Sequence, residues 1–314
     1  MKKLFIITLS LFLITQVFSQ TQLTQYFLDG TFYNPGSVGS NDAVSSSIFG
    51  RQQWMGFADN TNNTITPFSL VFNMHAPLYS INSGAGINLI YDKLGFEKNI
   101  GVKLNYAYKF LINNEKGRLG VGIGISLLNK TIDFSRLIVE QPGDPLLNVN
   151  QSASAMSPNF DLGVYYKYGT TFDIGLSGIN LIESPVKIGN VIYTQKRNLY
   201  LSSSYQITLI DSNEPLYLIP SVLVKSNLIN AQVDLNARVE YNNFVWGGVS
   251  YRYQDAIALM AGVNLNGFRI GTSYDITVGS LSGSSKGSLE FFVGYNVKIN
   301  QNVKSTNNFN TRYL

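Results

Sequence analysis

The chain has 314 residues, 45% hydrophobic and only 13% charged, with 23 basic and 19 acidic side chains, one histidine and no cysteine. The lack of cysteine excludes disulfides, thiolate metal sites, a cysteine nucleophile and a lipoprotein acylation site, and a formal charge of +4 without any basic run does not imply nucleic acid as a partner. Nineteen tyrosines, nineteen phenylalanines and 28 glycines at so low a charge density suit a membrane barrel with aromatic girdles better than a soluble enzyme.

In chain order, Met1, Lys2 and Lys3, the apolar run 4–13, and then Val17, Phe18 and Ser19 predict a secretory signal over residues 1–19, cut before Gln20. No later segment approaches the roughly 18 uninterrupted apolar residues of a helical span, so a chain that enters a membrane does so as a barrel. Residues 20–42 read as a short periplasmic lead-in. Within it Asn34 and Pro35, followed by Gly36 and Gly39, form a turn signal, because proline fixes φ and glycine permits tight reversals. Three roles stay open for it: a turn only, a plug folded into a lumen, or a handle for a periplasmic partner.

From residue 43 the dominant pattern is alternation. It is clearest where Ala231, Val233, Leu235, Ala237, Val239 and Tyr241 interleave with Gln232, Asp234, Asn236, Arg238 and Glu240; a period of two means a strand with one apolar and one polar face. Fourteen such segments are predicted, at 43–51, 66–75, 84–92, 99–110, 118–128, 159–168, 171–178, 197–207, 216–226, 230–241, 243–253, 256–265, 267–276 and 287–298. Charges within them keep to the polar face: Lys103 and Lys109 lie opposite Ile100, Val102, Leu104, Tyr106, Tyr108 and Phe110. A lysine or arginine facing lipid at mid-bilayer costs roughly 2–4 kcal/mol, so this sorting favours lipid outside and a polar lumen. The fold class is therefore all-β, a transmembrane antiparallel up-and-down β-barrel of about 14 strands over residues 43–298, with a flexible tail at 299–314.

Connection lengths set the orientation. With the first strand starting inside, the connections predicted at 52–65, 129–158, 179–196 and 277–286 are extracellular and long, whereas those on the periplasmic side are short and rich in turn formers such as Asn113, Asn114, Gly169, Asn242 and Gly267. Loop 129–158, partly apolar, reads as either a partner surface or a lid. In a closed barrel the first and last strands pair, which makes Arg51, Asp275 and Glu290 neighbours and predicts an ion-pair cluster facing inward at the closure seam. Trp54 falls where an aromatic belt residue is the default. No catalytic, cofactor or metal site emerges: His75 is the single histidine and lies near an inner strand end, and Gly120, Gly122 and Gly124 alternate within a strand, as suits a crowded lumen wall.

Three blocks carry a family resemblance. Gln25 and Tyr26, with the run Tyr33, Asn34, Pro35, Gly36, Ser37, Val38, Gly39 and Ser40, form the first; Arg51, Gln52, Gln53, Trp54 and Gly56 the second; Phe268, Arg269, Ile270, Gly271, Ser273, Tyr274 and Asp275, then Gly287, Ser288, Leu289 and Glu290, the third. In order and spacing they resemble the PorP/SprF family of outer-membrane proteins associated with type IX secretion and gliding motility. Departures are Gly36, where the family often has alanine, and a tail in place of a terminal aromatic residue, a role Tyr295 could fill. The resemblance implies a non-enzymatic barrel in the cell outer membrane. Its partners would be outer-membrane lipid and either other type IX secretion components or the C-terminal domain of a secreted adhesin. Asn34, Pro35, Arg51, Gln53, Trp54, Tyr274, Asp275 and Glu290 are its candidate partner or structural residues. The competing reading from the residues is a porin-like channel or a transporter of hydrophobic small molecules, since mixed-sign lumen charges fit a filtered pore too.

Overall fold

The computed structural model describes residues 21–57, 65–112, 116–136, 152–279 and 281–299. The predicted signal 1–19, nearly all of the predicted tail, Asn113 and Asn114, and the centre of the predicted loop 129–158 lie outside the described residues. The strands are β1 (Ala43–Gln52), β2 (Phe68–Leu78), β3 (Ser83–Leu94), β4 (Glu97–Ile112), β5 (Gly117–Asp133), β6 (Ser152–Tyr168) and β7 (Phe172–Ile179). They continue with β8 (Pro185–Ile188), β9 (Val191–Thr194), β10 (Asn198–Tyr205), β11 (Ile207–Ile210), β12 (Leu216–Ser226), β13 (Ala231–Tyr241) and β14 (Val245–Arg252). The last three are β15 (Ala256–Leu265), β16 (Phe268–Thr277) and β17 (Ser288–Lys298).

Each wall strand pairs antiparallel with its neighbours, β1 pairs with β17, and β10 pairs with both β7 and β12, so the sheet closes. β10 and β11 share one position in the wall and β8–β9 form a separate hairpin, which leaves fourteen wall strands. The predicted strand 197–207 is thus divided at Gln206. Its N–H donates to the Thr171 carbonyl (2.7 Å), outside the ladder to β12, and the position opposite in register holds Ile219 beside Pro220, which has no N–H to donate.

Outside and inside are chemically distinct. Along β4, Ile100, Val102, Leu104, Tyr106, Tyr108 and Phe110 are exposed, while Asn105, Ala107 and Lys109 are buried. One rim carries the connections 53–67, 134–151, 180–197 and 278–287; the other carries only short turns such as 79–82, 169–171 and 266–267. We refer to them as the long-loop rim and the short-turn rim.

Two predicted boundaries change. Strands β5 and β6 continue in register to Asp133 and Ser152, so the connection expected at 129–158 shrinks to 134–151. Its apolar character has a structural cause at the ends: Ile132 and Phe134 are buried with Ile188 of the β8–β9 hairpin, against Ala153, Ala155, Val186 and Tyr193, in a small second core. The hairpin itself lies within the long connection predicted at 179–196. The larger change concerns the segment expected as a periplasmic lead-in. Residues 21–42 run through the lumen, with Leu23, Tyr26, Leu28 and Tyr33 buried in the main core beside Phe49, Val71, Trp246 and Phe292 of the wall.

Candidate functional site

The lumen segment is built from three short 3-10 turns, Tyr26–Leu28, Gly30–Phe32 and Pro35–Ser37. None has periodicity; the second and third are capped at their N-termini by side chains, whereas the first has no side-chain cap. Asp29 accepts from the Thr31 N–H (3.1 Å), and Asn34 Oδ1 accepts from the Gly36 N–H (2.8 Å), capping the turn that Pro35 opens. Because β1 begins at the short-turn rim, residue 42 leaves the lumen there. Thr24 sits at the other end, against side chains from the long-loop ends of β1, β14, β16 and β17. The segment is a plug that threads the barrel from rim to rim.

The upper anchor is ionic. Register places Arg51 opposite Glu290 across the closure seam, and pleat parity turns both inward with Asp275. Arg51 Nη2 lies 2.8 Å from Asp275 Oδ2 and Nη1 3.2 Å from Glu290 Oε2. Arg252 Nη1 reaches Asp275 (3.2 Å) and Asp255 (3.2 Å), and its Nε reaches Asp234 (3.3 Å). The plug completes this network. Its Thr24 and Gln25 N–H groups donate to the two Glu290 oxygens (2.8 and 2.9 Å), and the Thr24 hydroxyl donates to Asp275 (2.8 Å) while accepting from Arg51 (2.8 Å) and Arg252 (3.2 Å). Arg51, Arg252, Asp275 and Glu290 are each at most 4% exposed. Charges so buried persist because each has opposite charge and hydrogen bonds.

Midway, Asp29 also accepts from the Ser47 hydroxyl (2.6 Å) and the Leu28 carbonyl accepts from Arg269 (2.7 Å). Phe27 packs edge-on against Trp246 (5.8 Å between centroids) under the Arg238 guanidinium, 4.5 Å from its ring.

The lower anchor is steric. The backbone of Asn34, Pro35 and Gly36 lies directly on the wall at Gly120, Gly122 and Gly163: a Cβ on Gly122 would collide with the Pro35 carbonyl, one on Gly120 with the Gly36 carbonyl, and one on Gly163 with Asn34 Oδ1. Gly84 plays the same part for Val38. With no side chains between the two backbones, Asn34 Nδ2 donates to the Val164 carbonyl (3.0 Å) and the Ser177 hydroxyl to the Tyr33 carbonyl (2.6 Å). The Gly39 N–H donates to His75 Nδ1 (3.0 Å), which places an acceptor on that nitrogen and gives the histidine a structural role.

Of the residues predicted from sequence, Arg51, Asp275 and Glu290 meet in the upper anchor, and Asn34 and Pro35 form the lower one. Trp54, Gln53 and Tyr274 take no part in either. Gln53 donates its backbone N–H to Pro67 (2.9 Å). Trp54 adopts φ +49°, donates its N–H to Ser288 Oγ (3.1 Å) and packs on Phe57 at the rim. Met55 and Lys286 then bridge the seam by backbone hydrogen bonds (Met55 to Gly287, 2.7 Å; Lys286 to Met55, 2.8 Å). Tyr274 is exposed and donates its hydroxyl to the Lys286 carbonyl. Thr24, Gln25, Arg252, Asp234 and Gly163 were not among the candidate site residues; for the steric anchor the alternating glycines were the one available signal.

Between the plug and β7, β10 and β12 remains a polar cavity of about 110 Å³, lined among others by Tyr165, Asp173, Ser202, Ser204 and Ser221. Ligand sites occupy roughly 300–1,000 Å³, so this space suits a few waters. Among the described residues no group of three or more His, Asp or Glu side chains could hold a metal.

Residues 15–295 match the sequence model of the family described as type IX secretion system membrane protein PorP/SprF. No curated protein matches the chain. Among solved structures, the toluene transporter TbuX of Ralstonia pickettii is similar with a TM-score of 0.50 at 11% identity, covering 86% of this chain and 93% of that one. The toluene transporter TodX of P. putida follows at 0.49 and 8%, covering 86% and 93%, and Omp33 of Acinetobacter baumannii at 0.44 and 7%, covering 81% and 98%. The likeness to TbuX is one of fold.

Proposed function

Because this chain belongs to the PorP/SprF family of type IX secretion system membrane proteins, we propose that it works as a closed, non-enzymatic scaffold of that machinery. Its place is the cell outer membrane, as family and fold agree. The role proposed is to support export or surface attachment of adhesin-type cargo, or to link the machinery to the membrane, through its rims and not through its lumen. The observation that carries this reading is the plug: residues 21–42 cross the lumen and are bonded to the wall at both ends. A wall strand such as β13, with its sorted faces, then serves to hold rims and plug in place.

Deletion of the gene should block export or surface display of one adhesin class and leave nutrient uptake intact, and the purified barrel should be silent in planar bilayers. Normal display of all cargo would sink the proposal. A steady open conductance would instead favour a channel for small solutes. Capture of partners by the tagged barrel in mild detergent, followed by mass spectrometry, separates adhesin attachment from linkage to the rest of the machinery.

A further inference from the structure

The connection between β3 and β4 is only Gly95 and Phe96, the shortest at the long-loop rim. Just below this turn Lys93 and Lys98 are direct cross-strand partners. Both point outward: Lys93 shares a face with Leu89 and Tyr91, and Lys98 with Ile100 and Val102, all on the lipid side of the wall. Like charges placed directly opposite on one face are destabilising, and among the described residues neither ammonium has an acidic partner. Asp92 and Glu97 face inward, where Ser69 (2.5 Å) and Lys130 occupy them. Asp133, the nearest acid on the outward face, accepts from the Ser135 N–H (3.2 Å) and hydroxyl (2.6 Å). The flanking residues at the same level are Phe68 on β2 and Thr131 on β5.

Depth fixes what lies beside this pair. On β4 the exposed apolar side chains run from Ile100 to Ile112; twelve steps of about 3.3 Å tilted by about 40° rise about 30 Å, enough to span the roughly 25 Å apolar band of an outer-membrane barrel. Lys98 is the next outward residue, immediately above that band, with its ammonium 5.5 Å from the centre of the Tyr91 ring. The two lysines therefore stand at headgroup level, where anionic lipid attracts basic side chains, and an ammonium binds phosphate as a point charge.

We propose that Lys93 and Lys98 together bind the phosphate of an anionic lipid headgroup in the leaflet at the long-loop rim, with Tyr91, Ile100 and Leu70 against its acyl chains. The phosphate relieves the repulsion between the two ammoniums, and the lipid becomes a fixed part of the barrel surface on the β2–β5 side.

The test uses the full chain in detergent, titrated with phosphorylated lipid A and read by native mass spectrometry, with dephosphorylated lipid A and inorganic phosphate as parallel probes. At about fivefold per lysine, the K93Q/K98Q variant should bind phosphorylated lipid A about 25-fold more weakly than the parent, and K93R/K98R should retain binding. Unchanged binding by K93Q/K98Q, equal binding of the dephosphorylated lipid, or displacement of the lipid by inorganic phosphate at equal concentration would each overturn the proposal. Thermal unfolding guards against a folding artefact through its sign. Without lipid K98Q should melt at or above the parent temperature, because a repulsion is gone; with phosphorylated lipid A it should melt below. A lower melting temperature in both conditions would also overturn it.

Discussion

The two ends of the plug are held by opposite kinds of physics. At the long-loop rim, four buried charged side chains converge on two plug residues, Thr24 and Gln25, and the contact is electrostatic and chemically specific. At the short-turn rim the plug turn rests on glycines, and the contact is one of shape, backbone against backbone. A charged anchor is switchable, since losing one member leaves the others uncompensated; a glycine seat is either filled or blocked. The upper end is thus sensitive to the loss of one charge, and the lower end to the gain of one methyl group.

The most direct way to break this comparison is topological. The chain has no native cysteine, so single cysteines report cleanly. With the long-loop rim outward, Gln22→Cys should be labelled by a membrane-impermeant maleimide in intact cells, and Asn41→Cys only after the outer membrane is opened. The reverse pattern would invert the thread. Removing one charge from the upper anchor comes next. Arg51→Met leaves Glu290 buried with no cationic partner and should cost about 3–5 kcal/mol in denaturant unfolding. Arg51→Met with Glu290→Leu should recover much of that, and a double variant no better than the single would show that the anchor is not held by charge pairing.

At the steric end Gly122→Ala should cost about 1–3 kcal/mol, because the added methyl meets the Pro35 backbone and nothing there can rotate away. No second substitution in the wall should rescue it. Gly283, with open space around its Cβ position, is the matched control, and Gly283→Ala should change stability by less than about 0.5 kcal/mol. Equal effects at the two glycines would remove the seat from consideration.

The smallest effect lies outside both anchors. In the β7–β10 connection, hydrogen bonds from the Arg197 side chain (2.7 Å) and N–H (2.9 Å) pull the Glu183 carboxyl down to about 2. A depressed carboxyl contributes above its unfolded value and loses that contribution as the pH falls through its folded one, so the pair should be intact at neutral pH and open only as pH approaches 2. Arg197→Gln should return the Glu183 midpoint toward the ordinary value of about 4.3 by NMR titration while leaving global unfolding unchanged. A surface pair of this kind has little hold on the fold.

The wall was legible because a strand with lipid on one side and a polar lumen on the other must alternate, and a misplaced charge is costly enough to be absent. Register followed from that alternation together with closure, which is why Arg51, Asp275 and Glu290 are predicted as neighbours by the sequence. The plug was legible only as one of three roles open to the Asn34-Pro35 turn, and its contacts were not legible. Leu23, Tyr26 and Leu28 alternate with Thr24, Gln25 and Asp29 in no regular period, since the wall they meet is itself mixed, with Trp246 and Phe292 beside Glu290 and Arg238. The apolar stretch at 129–158 misled for a related reason. Its ends are strand, and Ile132 and Phe134 are covered by a hairpin arriving from residues 185–194.

By itself, then, the amino-acid order determined an outer-membrane barrel, its strand count and the faces of its strands, because those follow from local periodicity and the solvent on each side. Only the tertiary structure decided that residues 21–42 fill the lumen, which residues hold them, and that Gly120, Gly122 and Gly163 are a seat and not merely a crowded wall. Many of those contacts join segments more than 80 residues apart in the chain, such as Asn34 to Val164 or Thr24 to Glu290. Such pairings have no local signature; they exist only once the sheet has closed around the chain that leads into it.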